Sequence, residues 1–149
     1  MDYQNGDVKL VITKEGFDID LKDNFVEMTS GFESAIFLSL FGGNEEDDYS
    51  EATNKNQFWG NNLQNNESGK YRSRTLKFIN GSYANAQNLQ LLEQNILLDL
   101  NWFIEENIAD TVEANCYIPA FNELKIEIKL LRDKKSLANS NYRLNWKAQ

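Results

Sequence analysis

The stretch LKIEIKLL (residues 124–131) alternates apolar and charged side chains along its length. A period of two predicts a β-strand that buries one face and exposes the other to solvent. The predicted buried residues are Leu124, Ile126, Ile128 and Leu130, and the predicted exposed residues are Lys125, Glu127 and Lys129. We therefore expect a β-sheet in the C-terminal third of the chain.

Two further apolar alternations flank this stretch, TVEANCYI (111–118) and YRLNW (142–146). Because the links between the three segments are short, they predict an antiparallel meander over residues 111–147. The last segment is expected at an edge of the sheet, where Arg143 and Lys147 would guard its unpaired backbone groups.

The region before the sheet predicts the longest helix, from Ser82 or a near neighbour to about Asn107. Its apolar residues form two stripes when they are placed at about 100° per residue. The broad stripe holds Leu89, Leu92, Ile96, Leu97, Leu100, Phe103 and Ile104, and the opposite stripe holds Leu91, Leu98 and Trp102. Two apolar stripes predict a helix covered by the sheet on one side and by another helix or another subunit on the other.

The segment SGFESAIFLSLFGG (30–43) predicts a second main helix. Ser30 and Glu33 have the spacing of a capping box at its start, and a glycine pair supplies its end. Its apolar residues leave almost no polar face, which is typical of a buried helix. A short helical segment is predicted in KYRSRTLKFI (70–79), between the two main helices.

The N-terminal segments DVKLVIT (7–13) and FDIDL (17–21) alternate like strands of a hairpin or an extended arm. All these elements together predict one α+β domain. Its predicted parts are an N-terminal strand arm (1–25), a helical part with two main helices (30–107), a long loop within it (43–69), and a three-stranded antiparallel meander packed on the long helix (111–147), within a single domain 1–149.

The long loop carries NKNQFWGNN (54–62), in which Phe58 and Trp59 stand side by side among polar residues. Loop backbones face water, so two large aromatic side chains must pack under the body of the protein or contact another molecule. We interpret the pair first as a structural plug within the chain, second as a subunit contact, and third as a small-molecule site. The acidic run before it lacks the alternating ligand spacing of a calcium loop.

The composition excludes several classes of enzyme and metal site. The chain has no His and a single Cys, Cys116, which removes His-dependent catalytic triads and zinc sites built from His or several thiolates. We expect Cys116 to be a buried structural thiol. No Gly-rich phosphate loop is present, and we predict no cofactor, no metal and no catalytic site.

The net charge and the hydropathy of the chain argue against two classes of binding partner, nucleic acid and membrane. The net charge of −8 disfavours sequence-independent binding to nucleic acid. No stretch approaches the ~20 apolar residues of a membrane helix. The N-terminus lacks the basic segment followed by an apolar segment that is typical of a secretion signal. We expect a protein made in the cytoplasm that binds neither nucleic acid nor membrane.

Several motifs occur in a specific order over roughly residues 7–147: SGFESAIFLSLFG, an acidic loop with Asp47-Asp48, QFWGNN, RSRTLKFI, LLDLNWFIEENIADTVEAN, LKIEIKL and YRLNW. This order resembles the small baseplate-wedge proteins of Mu-like contractile-tailed phages, which are related to a lysozyme-like wedge family also found in type VI secretion systems. The matching positions are Gly31, Asp47-Asp48, Phe58-Trp59-Gly60, Arg72-Ser73-Arg74, Leu76 and Trp102. Asn61 stands where the family has an acid, and Phe58 where a second Trp is usual.

The resemblance implies a structural component of a tail baseplate, made in the host cytoplasm and present in the virion in multiple copies of a six-fold assembly. It implies contacts with larger wedge proteins, with the tail sheath and with hub and tube proteins, and a part in nucleating the sheath. In related systems sheath subunits link by donated strands, and a short sheet with an open edge suits that mode. The expected protein-interaction residues are Phe58, Trp59, Leu91, Leu98, Trp102, Arg143 and Trp146.

Two alternatives remain open from the sequence. A cell-wall-cleaving, lysozyme-like glycosidase would need a pair of carboxylates, for which Glu33, Glu105 and Glu106 are candidates. A generic soluble adaptor domain, unrelated to phages, would need no site chemistry at all.

Overall fold

The computed structural model describes residues 6–14, 16–42, 71 and 73–149. Its first part is an arm of short antiparallel strand pairs: β1 (Gly6–Val8) with β6 (Met28–Ser30), β2 (Leu10–Thr13) with β3 (Gly16–Ile19), and β4 (Leu21–Lys22) with β5 (Phe25–Val26). Asp23 and Asn24 have φ of 51° and 65°, as required for the tight turn that joins β4 to β5. The predicted arm is therefore present and continues to Ser30.

Among the described residues, four helices follow the arm: α1 (Gly31–Phe41), α2 (Arg74–Gly81), α3 (Ala86–Leu100) and α4 (Trp102–Glu105). The two main helices, α1 and α3, lie where they are predicted, but the long helix is shorter than expected. It begins at Ala86 because the Asn85 side chain, rather than Ser82, accepts a hydrogen bond from the N–H of Asn88 (2.8 Å). It ends at Leu100, and α4 is a separate turn.

The C-terminal part is one antiparallel sheet of β7 (Thr111–Tyr117), β8 (Glu123–Arg132) and β9 (Lys135–Asn145), with β8 in the centre. The predicted meander is confirmed, but β9 is twice as long as the YRLNW segment suggests. Asp133 and Lys134, with φ of 50° and 62°, form a two-residue hairpin turn, so the strand begins where the sequence predicts a polar link.

The core lies between this sheet and the helices. The inward residues of β8 match the prediction, and they pack with the broad stripe of α3 and with α1; the central members are Leu124, Ile126, Ile128, Leu130, Leu92, Ile96, Leu100, Phe103, Ile36, Leu40 and Phe41. Leu97 and Ile104, predicted in the same stripe, are instead 41% and 40% exposed. In the described residues, no helix is long and apolar enough to cross a membrane.

Candidate functional site

The outer edge of β9 directs unpaired backbone groups away from the sheet. The N–H of Trp146 donates to the C=O of Asn122 (3.0 Å), which shows that even-numbered residues of this segment bond towards β8. Hydrogen-bonding pairs alternate along an antiparallel ladder, so Asn139, Asn141 and Arg143 point their N–H and C=O groups outward. Within the described part of the chain, no backbone group pairs with them.

Beyond this stretch the same edge is closed. The N–H of Ala84 donates to the C=O of Lys147 (2.9 Å), and Ala84 bridges Ala148 in parallel. Lys147 is odd-numbered, as the alternation requires. The open part of the edge therefore ends where residue 84 begins to cover it.

The arm supplies a second strand edge opposite β9. The N–H of Asp20 donates to the C=O of Lys9 (3.0 Å), so odd-numbered residues of β2 bond towards β3. Leu10 and Ile12 consequently direct their backbone groups to the other side. β2 lies beside β9, and a groove of about 590 Å³ separates the two strands.

Helix α1 and the inner face of β9 form the floor of this groove, with Glu33, Ser34, Phe37 and Tyr142 among the lining residues. The Ser34 hydroxyl donates to the C=O of Val8 (3.3 Å), which ties the arm to α1. The ring of Tyr142 packs edge-on against Phe37 at a centroid distance of 5.9 Å. Burial raises the pKa of Tyr142 to about 12, although the nearby Ser140 opposes the shift. The floor is thus held by aromatic packing and by the hydrogen bond from Ser34.

Glu33 is the charged group of the floor. Burial raises its pKa, and the nearby Lys9 lowers it in part. Lys9 itself donates to Asp20, with Nζ 2.8 Å from Oδ2. The Glu33 half of the predicted capping box is corrected here, because its carboxylate accepts no hydrogen bond from any described residue. The backbone of Ser30 pairs in β6, and its side chain lies outside what the structure describes.

The other edge of the sheet is partly closed by a side chain. The Glu93 carboxylate of α3 accepts a hydrogen bond from the N–H of Cys116 in β7 (2.9 Å). The prediction for Cys116 is confirmed, since it is buried and burial raises the pKa of its thiol to about 12. The longest stretch of open edge that the described residues present is therefore on β9.

A polar cluster joins the helices behind the groove. The indole N–H of Trp102 donates to the Ser39 hydroxyl (2.9 Å), which in turn donates to the C=O of Ala35 (2.7 Å). The Ser73 hydroxyl donates to the C=O of Ser39 (3.1 Å). Trp102 also stacks on Phe103, with ring centroids 3.9 Å apart. Ser73 and Trp102 thus meet through α1.

Asp99 completes this cluster by capping α2 from outside the helix. One carboxylate oxygen accepts from the N–H (2.8 Å) and the hydroxyl (2.7 Å) of Thr75. The other accepts from the N–H of Arg74 (3.1 Å) and lies 3.4 Å from its guanidinium. The Asp99 side chain has no exposed surface, and burial raises its pKa to about 6, although the bonds from Thr75 and Arg74 oppose the shift.

The predicted interaction residues fall in different places. Leu91 and Leu98 are 40% and 59% exposed on α3, as a contact surface requires. Trp102 does not share that surface, because the helix breaks at Asn101 and the indole turns towards Ser39. The remaining members are Arg143, which lines the groove; Trp146, which is buried and donates to the C=O of Ser82; and Phe58 and Trp59, which lie outside the described residues.

The candidate carboxylates of a glycosidase are not gathered in the groove. Glu33 lines it, whereas Glu105 and Glu106 are exposed residues at the end of α4 and do not. The Glu105 carboxylate instead accepts from the side-chain amide of Asn101 (2.8 Å).

Sequence reasoning missed Asn139 and Asn141, because the polar run LANSN hides the first half of β9. The signal that predicts this strand is the Asp133-Lys134 turn, placed directly after the alternation of β8. It also missed the exposed apolar hairpin of the arm, where Leu21 and Phe25 are 63% and 77% exposed. No family model, no curated protein and no solved structure matches this chain.

Proposed function

We propose that this chain is an architectural component of a contractile phage tail, a wedge protein of the baseplate that contacts larger wedge proteins and helps to nucleate the sheath. The ordered motifs that resemble the small baseplate-wedge proteins of Mu-like phages support this assignment. The observation that carries it is the open edge of β9 facing the groove.

An open strand edge suits an assembly function because it binds the main chain of another extended segment through backbone hydrogen bonds. An incoming extended segment pairs its N–H and C=O groups with the outward groups of Asn139, Asn141 and Arg143, which supplies affinity whatever its sequence. Its side chains then set the register through the floor of the groove. In this proposal the segment comes from a neighbouring tail protein, with sheath, hub and tube proteins nearby.

Further contacts of the wedge come from exposed apolar side chains. Leu91 and Leu98 are joined on α3 and α4 by Leu97 and Ile104, and the arm presents Leu21 and Phe25. Apolar groups that cluster at a surface mark sites of protein interaction. The proposed protein is not an enzyme, needs no cofactor, and is found in the virion in several copies around a six-fold axis.

The test is a reconstruction of intact tail particles from the cells that produce this chain. We expect the chain in the baseplate, at the start of the sheath. Its absence from the particle would refute the proposal. Gene neighbours provide a second measurement, since genes for a large wedge protein or a sheath are expected beside this one and a generic adaptor would lack them.

A further inference from the structure

The floor of the groove holds a carboxylate, that of Glu33, with no hydrogen-bond or ion-pair partner in the described part of the chain. Glu33 is half-buried, and among the described residues it forms neither a hydrogen bond nor an ion pair. Lys9, the nearest basic residue of the groove, is already bonded to Asp20. A charge that has lost part of its water without gaining a partner is unfavourable, so a cation brought by a ligand would gain from meeting it.

An inserted strand would carry its side chains to this carboxylate. Side chains of a strand point alternately to its two faces, so every second residue of a segment added to the open edge of β9 points towards α1. The open edge over residues 139–143 is about 16 Å long at the usual rise per residue. That length brings two or three inward side chains to the floor.

The groove is lined by the carboxylates of Glu27 and Glu33 and by Lys9, whose ammonium is already paired with Asp20, so the charge left without an ion-pair partner among the described residues is negative. Arg143 is odd-numbered in β9, so its side chain lies on the outer face of the sheet, opposite to Tyr142. The half-buried ring of Tyr142, backed by the buried Phe37, flanks the floor, and the aliphatic stem of a long basic side chain can pack against it.

We propose that the groove between β2 and β9 selects an extended segment with an inward Lys or Arg, and that Glu33 is the residue that recognises this cation. The proposal rests on the strand addition described above and names the chemistry of the partner. It assigns to Glu33 a role in specificity rather than in capping or in catalysis.

The test selects random twelve-residue peptides, displayed on yeast, against the full-length chain. We expect the selected peptides to be enriched in Lys or Arg at alternate positions. A synthetic peptide of the commonest sequence should shift the backbone amide signals of Asn141 and Arg143 in a nuclear magnetic resonance spectrum. Glu33→Gln should weaken its binding about fivefold, whereas the matched control Glu113→Gln, on the far face of β7, should leave binding unchanged.

A charge reversal adds a gain-of-binding test. Glu33→Lys should prefer the same peptide with Glu in place of its basic residue. Peptides that shift the amides of Asn141 and Arg143 but show no basic preference would overturn the role of Glu33 and leave strand addition intact. Peptides that never shift these amides would overturn the groove as a binding site, whereas the place of the chain in a tail is decided separately by the particle reconstruction.

Discussion

Asp99→Ala is the substitution from which the structure predicts the clearest loss of stability. Asp99 is buried, and its carboxylate is the acceptor for the N–H and the hydroxyl of Thr75 and for the N–H of Arg74. Alanine leaves the first turn of α2 without this cap. The change therefore acts where α2 docks on α3, away from the groove.

The size of the effect follows from the groups left without an acceptor. Thr75 has no exposed surface, and each of its two donors costs about 1–3 kcal/mol when its bond is lost. The half-exposed pair with Arg74 adds less than about 1 kcal/mol. Removing a buried charge offsets part of this sum. We expect a net loss of about 2–3 kcal/mol at pH 7.5, or about 5–10 °C in Tm.

The raised pKa of Asp99 predicts the direction in which the free energy of unfolding changes with pH. Burial raises the pKa of Asp99 to about 6 in the folded protein, against about 3.9 in an unfolded chain. A raised carboxyl pKa contributes stability that is fully present below the unfolded value and is lost as the pH rises through about 6. Between pH 7.5 and pH 5 the wild type should therefore gain about 1 kcal/mol relative to Asp99→Asn, which cannot titrate there.

The assay is urea unfolding followed by circular dichroism at both pH values. Asp18→Ala is the control, since Asp18 is exposed and accepts from its neighbour Ile19; it should change stability by less than about 0.5 kcal/mol. If Asp99→Ala is as stable as this control, the capping account is wrong. If the advantage of the wild type over Asp99→Asn shrinks on acidification, the sign of the pKa shift is wrong.

Three further predictions concern packing and chemistry. Gly42→Ala should cost about 1–3 kcal/mol, since its Cβ would lie 2.8 Å from a carbonyl oxygen of the preceding turn; Gly31→Ala, with no heavy atom within 4 Å, should be neutral or stabilising in the same denaturation assay. Trp102→Ala should cost about 3 kcal/mol, whereas Leu98→Ala should unfold like the wild type; equal losses would contradict the inward position of Trp102. A muramidase gel assay should show no clearing, and clearing that disappears in a triple glutamine variant would establish a glycosidase; the three changes are Glu33→Gln, Glu105→Gln and Glu106→Gln.

The fold class could be predicted because alternation and helical periodicity report burial directly. The inward residues of β8 repeat every second position without exception, and α1 has almost no polar face. Both patterns are imposed by the core, so both survive in the structure. The boundaries were less predictable, because they depend on single capping side chains such as that of Asn85 and on the break at Asn101, which turns Trp102 inward.

The groove could not be predicted, because it forms only where the arm, α1 and β9 come together in the folded chain. Glu33 has the sequence spacing of a capping residue, but in the folded chain it lines the groove. The edge of β9 is defined by unpaired backbone N–H and C=O groups. The pattern of side chains in the sequence does not show which backbone groups are unpaired. Asp99 did leave a signal, since it falls three residues after Ile96, on the buried side of an otherwise apolar helix.

The most direct test of the account is a structure of the assembled tail at a resolution that separates strands. We expect this chain at the baseplate, with an extended segment of a neighbouring protein hydrogen-bonded to Asn139, Asn141 and Arg143 of β9. A baseplate that lacks the chain, or one in which this edge of β9 faces solvent in every copy, would contradict it.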